Sequence, residues 1–123
     1  MTDIGFLFVG LGGAAGAMLR YAISMLPHRG EFPVLTLLTN LLGAILIGFI
    51  VGVSTRHKVS ENAMLFLKTG LCGGFTTFST FSLESFNLMK SGHYGLMALY
   101  MALSLVLCFA GVWLGACAGE RIR

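Results

Sequence analysis

Apolar side chains occupy four long stretches of the chain, and short polar segments separate them. Each stretch has at least the roughly 20 residues that a helix needs to cross the ~30 Å hydrocarbon core of a bilayer. The four stretches are 4–26, 34–53, 63–89 and 94–118. The pattern predicts an all-α integral membrane protein with four transmembrane helices, organised as a single domain over residues 1–123.

The composition supports a membrane environment. Hydrophobic residues make up 56% of the chain and charged residues only 11%, whereas soluble domains carry roughly 25% charged residues. A water-soluble globule is therefore excluded. Four crossings leave no room for a soluble catalytic domain, so we expect no enzyme. The basic residues form no run, so we also expect no nucleic-acid partner.

The distribution of basic residues gives only a weak orientation signal. With four crossings, both termini and the loop near residue 56 share one side of the membrane. That side carries Arg56, Lys58, Arg121 and Arg123, and the other carries Arg29 and Lys90, plus Arg20 if its side chain reaches the interface. Insertion in both orientations is therefore a real alternative.

Glycines recur at four-residue spacing and place small residues on one helix face. They are Gly12 and Gly16 in the first stretch, Gly48 and Gly52 in the second, and Gly111, Gly115 and Gly119 in the fourth. Such faces pack helices within one chain or between subunits. Because together they exceed what a four-helix monomer needs, we expect a dimer or higher oligomer.

The third stretch contains a segment that is unfavourable for a helix. Two glycines, Gly73 and Gly74, are followed by five Thr and Ser residues among three phenylalanines, and these residue types have low helix propensity. Non-helical backbone at membrane depth is tolerated only inside protein or beside a watery cavity. We expect a helix break between residues 73 and 77, near mid-membrane. The alternative is a glycine packing notch with hydroxyls bonded to the preceding turn.

Two phenylalanines beyond this segment, Phe78 and Phe81, are three residues apart and share a helix face. Because an aromatic ring has a positive edge, such a pair could contact a small anion. Ordinary core or lipid contact is the alternative. Asn40 is a lone amide in the uncharged second stretch, either bonding helices together or lining a polar pathway.

Further polar residues could line the same route. Ser104 and Tyr100 lie four apart and place two hydroxyls on one helix face, although a serine often bonds its own helix. Arg20 and Lys68 supply positive potential, although both are near enough to a helix end to reach the interface. Glu84, close to the end of its helix, could reach the interface in the same way.

Taken together, these residues resemble the Fluc (CrcB) family of fluoride channels over nearly the whole chain. The resemblance is carried by Gly-Ala-Met-Leu-Arg-Tyr at 16–21, Thr-Leu-Leu-Thr-Asn-Leu-Leu-Gly at 36–43, and above all Gly-Gly-Phe-Thr-Thr-Phe-Ser-Thr-Phe-Ser at 73–82. It implies a multi-pass protein of the bacterial plasma membrane that forms an antiparallel, dual-topology homodimer with two fluoride pathways. It also implies passive export of cytoplasmic fluoride.

The resemblance assigns roles to particular residues. Phe78 and Phe81 match the aromatic pair that contacts fluoride, and Asn40 matches an amide donor in the pathway. The polar lining matches Ser79, Thr80, Ser104 and Tyr100, and Arg20 matches an arginine at the end of the first helix. The backbone carbonyls of Gly73 and Thr76 match those that hold a structural sodium ion between the subunits. Cys108 stands where some relatives have a hydroxyl.

Two other classes of protein are compatible with four crossings. A small dual-topology, proton-coupled multidrug exporter requires a deeply embedded carboxylate, and Glu84 is off-centre. A non-transporting scaffold subunit would account for the glycines but not for Asn40 or the Thr/Ser/Phe segment.

Overall fold

The protein is described here by a computed structural model that covers residues 2–123. It is helical, with no strand among those residues. Helix α1 spans Thr2–Ser24, α2 spans Val34–Ser54, α4 spans Phe78–Lys90 and α5 spans Tyr94–Glu120. Helix α3 covers 61–75 in three consecutive parts, which are Glu61–Met64, Leu65–Cys72 and Gly73–Phe75.

Three of these helices, α1, α2 and α5, are long and apolar enough to cross a membrane. They occupy three of the four predicted stretches, with ends that differ by a few residues. The third predicted stretch is divided between α3 and α4, which have 15 and 13 residues. Neither is long enough to cross a bilayer alone.

The helix break lies at Thr76 and Thr77, inside the predicted interval. The helix continues through both glycines to Phe75, and the next two residues are extended, with φ −86° and ψ 156° at Thr76 and φ −147° and ψ 116° at Thr77. Leu65–Cys72 forms wide π-helical turns just before this point, a rare form that is frequent at functional sites. The Thr77 hydroxyl caps α4 by accepting from the Thr80 N–H at 3.0 Å.

Helices α2 and α5 pack closely because glycines of each meet backbone atoms of the other. A Cβ on Gly48 would collide with the Val112 carbonyl, and a Cβ on Gly115 would collide with the Ile45 carbonyl. Gly52 and Gly119 are equally close to the facing helix. This contact brings the two backbones together without a hydrophobic driving force.

Helices α1 and α3 are joined in the same way. A Cβ on Gly12 would collide with the Phe66 carbonyl, and one on Gly16 with the Leu71 carbonyl. Gly111 meets side chains of α2. All seven spaced glycines therefore pack within one chain. They are accounted for without a second subunit, so the expectation of an oligomer stays a prediction that these glycines do not support.

Helix α4 rests on α5 through a small buried cluster. Phe81, Leu88 and Tyr100 form its centre, and Phe32 and Leu37 pack around it. Tyr100 is completely buried, and its ring lies 5.6 Å from that of Phe32 in an edge-to-face arrangement. The cluster fixes α4, and therefore Phe78 and Phe81, relative to the rest of the chain.

Candidate functional site

The helix break faces an open groove of about 700 Å³, formed by α2, α3, α4 and α5. Its lining is mostly apolar, with a few polar groups near the break. Of the predicted site residues, six line this groove: Asn40, Gly73, Thr76, Phe78, Phe81 and Ser104. Residues from both sides of the break and from two other helices are thus brought together.

Asn40 pairs with the extended backbone at the break. Its Oδ1 accepts from the Thr77 N–H at 2.8 Å, and its Nδ2 donates to the Thr77 carbonyl at 3.2 Å. The amide thus satisfies both backbone groups of a residue that has left the helix, which would otherwise be costly in an apolar medium. Asn40 therefore bonds α2 to the break, and it also lines the groove. Both roles considered from the sequence, a bond between helices and the lining of a polar pathway, stay compatible with its position.

Arg20 stabilises the C-terminal end of α3. Its Nε donates to the Gly74 carbonyl at 3.2 Å, and a cation at this position interacts favourably with the negative end of the helix dipole. Arg20 also lines a second, smaller cavity of about 110 Å³, together with Thr36, Thr39 and Thr80. Thr77 lines both cavities, so the break lies between them.

Two carbonyls at the break lose their helical partners. In a regular helix the Gly73 carbonyl would accept from the Thr77 N–H, which instead donates to Asn40. The Thr76 carbonyl would likewise accept from the Thr80 N–H, which instead donates to the Thr77 hydroxyl. A Cβ on Gly73 would meet nothing within 4 Å. The two carbonyls are therefore the kind of oxygen donor that a hard cation prefers.

The two phenylalanines differ in exposure. Phe78 is 78% exposed in the single chain, whereas Phe81 is 9% exposed. Their ring centroids are 5.6 Å apart with an interplanar angle of 44°, and Phe81 is 5.1 Å from the Tyr100 ring. Phe81 is held by its neighbours, while Phe78 extends into the open groove.

Ser104 carries a buried hydroxyl without a hydrogen-bond partner among residues 2–123. The residue is 8% exposed and lines the groove, as does Cys108 one turn further along α5. The usual alternative, a bond to its own helix, is not made. A buried polar group without a partner is rare and calls for an explanation such as a ligand or a water.

The remaining predicted lining residues lie outside the groove. The Tyr100 hydroxyl donates to Glu84 Oε1 at 2.8 Å. The Ser79 hydroxyl is exposed and lies 3.3 Å from the Thr77 hydroxyl, and Thr80 lines the smaller cavity with Arg20. The predicted residues therefore fall on both sides of the break rather than along one surface.

Glu84 has a different environment from the one expected from sequence. It does not extend toward the interface, because its carboxylate accepts from the Tyr100 hydroxyl and, at 2.9 Å, from the Thr36 hydroxyl. Thr36 is 48 residues away, and nothing in the helical spacing links the two. Thr36 and the Thr77 backbone are the site groups that sequence reasoning missed.

Comparison with known proteins gives consistent matches over most of the chain. A family model described as "CrcB-like protein, Camphor Resistance (CrcB)" matches residues 7–116. A protein of Azobacteroides pseudotrichonymphae is 43% identical over 111 residues, covering 87% of this chain and 89% of the relative. One from Coxiella burnetii is 41% identical, covering 94% and 98%. One from Bacteroides fragilis is 36% identical over the whole of both chains.

All three relatives carry the name fluoride-specific ion channel FluC. The resemblance expected from residues 16–21, 36–43 and 73–82 is thus confirmed. With three helices that can cross a bilayer, this multi-pass membrane protein belongs to the CrcB family.

Proposed function

We propose that this chain forms a fluoride-selective ion channel, whose ion pathway passes the helix break and the groove. Family membership supports fluoride as the transported ion, because the relatives are named as fluoride-specific channels. The observation that carries the proposal on structural grounds is the unpartnered hydroxyl of Ser104, which lies in a groove that also contains Phe78 and Phe81.

The chemistry of the groove fits a small, strongly hydrated anion. Such an ion must exchange water for several donors and still be able to leave. The Ser104 hydroxyl and the second Nδ2 hydrogen of Asn40 are donors, and the positive edges of Phe78 and Phe81 add weaker attraction. A fixed cation in direct contact would hold the ion more strongly. Larger halides would be disfavoured where the passage is narrow.

The smaller cavity is a suitable approach to the break. It combines the Arg20 guanidinium with the hydroxyl-bearing residues Thr36, Thr39 and Thr80, and a positive charge in a confined space concentrates anions. We place Arg20, Ser79 and Thr80 on this approach. Tyr100 contributes from behind Phe81 by holding Glu84. Transport is passive, since a channel needs only the gradient of fluoride.

The working unit is proposed to be an antiparallel homodimer in which a second copy covers the groove. In one chain the groove is open and Phe78 is largely exposed. Interaction with a second copy would enclose both. The two sides of the membrane carry similar numbers of basic residues, which permits insertion in both orientations. The same proposal gives each chain four crossings, the third of which is formed by α3 and α4 together. It also gives each dimer two ion pathways.

A structural sodium ion at the dimer centre is the remaining element of the proposal. The Gly73 and Thr76 carbonyls are released from helical bonding at the groove surface. One chain offers two such oxygens, and a second copy would supply two more. When bound, sodium would neutralise these dipoles and connect the subunits.

Flux measurements test the function directly. Liposomes that contain the purified protein and are loaded with potassium fluoride should release fluoride rapidly once valinomycin lets potassium leave with it. A fluoride electrode follows the release. Liposomes loaded with potassium chloride should release little chloride. Absence of fluoride release from vesicles that contain folded protein would contradict the proposal.

Substitution of Ser104 tests the groove as the ion pathway. In Ser104→Ala the ion loses a hydroxyl donor, and hydrogen bonds to charged groups contribute about 1.5–3 kcal/mol, so fluoride efflux should fall at least tenfold. Ser85→Ala is the matched control. Ser85 is also buried on a helix, but its hydroxyl donates to the Phe81 carbonyl at 2.9 Å. If Ser104→Ala releases fluoride as fast as Ser85→Ala, Ser104 is not part of the ion pathway.

The oligomeric state tests the dimer. Native mass spectrometry of the purified protein should give twice the 13.1 kDa of one chain. A cysteine at Ser60, in a background without Cys72, Cys108 and Cys117, should react with membrane-impermeant maleimide from both faces of the membrane. A monomer, or labelling from one face only, would contradict the antiparallel arrangement.

A further inference from the structure

Lys68 is a charged residue on the wall of a mostly apolar groove. It lies on α3, within the third apolar stretch, and lines the groove with an exposed side chain. Ionisable residues within membrane-spanning segments are rare and generally face a cavity or the protein interior, where they mark ion routes. Neither the hydrogen bonds at the break nor the packing of α1 on α3 involves it.

The charge of Lys68 is isolated within the groove. Among the 17 described residues that line it, Lys68 is the only one with a charged side chain, and none is a carboxylate. The Gly73 and Thr76 carbonyls and the Asn40 amide at the break carry no net charge. Lys68 therefore supplies the only charged side chain among the described residues that line the groove.

The position of Lys68 separates it from the ion contacts. It precedes Thr76 by eight residues, which is at most about 12 Å along the helix, because the wide turns of Leu65–Cys72 rise less per residue than an α-helix. Lys68 therefore lies about two helical turns before the break, whereas Phe78 follows it. An ammonium group at this end of the groove would act on an ion that enters there, because a unit charge acts over about 10 Å at moderate ionic strength.

We propose that Lys68 is an electrostatic recruitment residue that raises the local fluoride concentration at the α3 end of the groove without binding the ion. The inference rests on the proposed fluoride channel function. It explains how an apolar groove attracts an anion while the contacts near the break stay weak and neutral.

The proposal predicts a graded response to charge at residue 68. For an ion at ~10 Å from the ammonium in low salt, Coulomb's law with an effective dielectric constant between about 20 and 80 corresponds to roughly a two- to tenfold change in ion occupancy. Fluoride efflux at fluoride concentrations far below saturation should fall by that factor in Lys68→Gln and by the same factor again in Lys68→Glu. Lys68→Arg, which keeps the charge, should match the wild type.

Two further readouts distinguish an electrostatic role from a structural one. The loss should shrink at saturating fluoride, because recruitment then no longer limits the rate. It should also shrink when an impermeant salt is added, because salt screens the ammonium. A structural defect would persist under both conditions. If Lys68→Gln cannot be purified as folded protein, Lys68→Met gives the same neutral comparison.

Lys90→Gln is the matched control. It removes the same charge from the exposed end of α4, outside the groove and away from the α3 end, and should leave low-concentration efflux close to that of the wild type. Wild-type rates in Lys68→Gln and Lys68→Glu would overturn the recruitment role alone. Absence of fluoride efflux from the wild-type protein would overturn the channel function together with it.

Discussion

The pairing of Asn40 with the Thr77 backbone is the interaction on which the rest of the site depends. A chain that leaves the helix inside a membrane exposes N–H and C=O groups that lipid cannot satisfy, at a cost of several kcal/mol for each group. Asn40 satisfies both groups of Thr77. Arg20 donates a hydrogen bond to the Gly74 carbonyl, and the Thr77 hydroxyl caps α4. The break is therefore a stable part of the fold.

Several features of the site follow from this arrangement. Because Thr77 is bonded to Asn40 and Thr80 to the Thr77 side chain, the carbonyls of Gly73 and Thr76 are left without helical partners. Because α4 starts anew at Phe78, its first turn presents an aromatic ring to the groove. The close glycine contacts between α1 and α3 bring Arg20 within reach of the end of α3.

Much of this architecture was predictable from sequence, and the limits have physical causes. Long apolar stretches locate the helices because the bilayer fixes their length, and low helix propensity located the break to within five residues. Propensity did not show that the helix continues through Gly73 and Gly74. There, packing of Gly74 against the Gly13 backbone favours a helix in spite of the glycines.

Contacts between distant residues could not be predicted in the same way. The direction of Asn40 depends on how α2 meets the break, and the environment of Glu84 depends on Thr36 and Tyr100, which belong to two other helices. The spaced glycines were recognised as packing faces, but their pattern is the same whether the facing helix belongs to the same chain or to another. Only the three-dimensional structure assigns them to one chain.

The backbone at Thr76 and Thr77 is the most direct test of this account. Solid-state NMR of isotope-labelled protein in lipid bilayers reports backbone conformation through the Cα and Cβ chemical shifts of each residue. Extended-type shifts are expected at Thr76 and Thr77, flanked by helical shifts at Phe75 and Phe78. Helical shifts through all four residues would show an unbroken helix and would contradict a site built on the break.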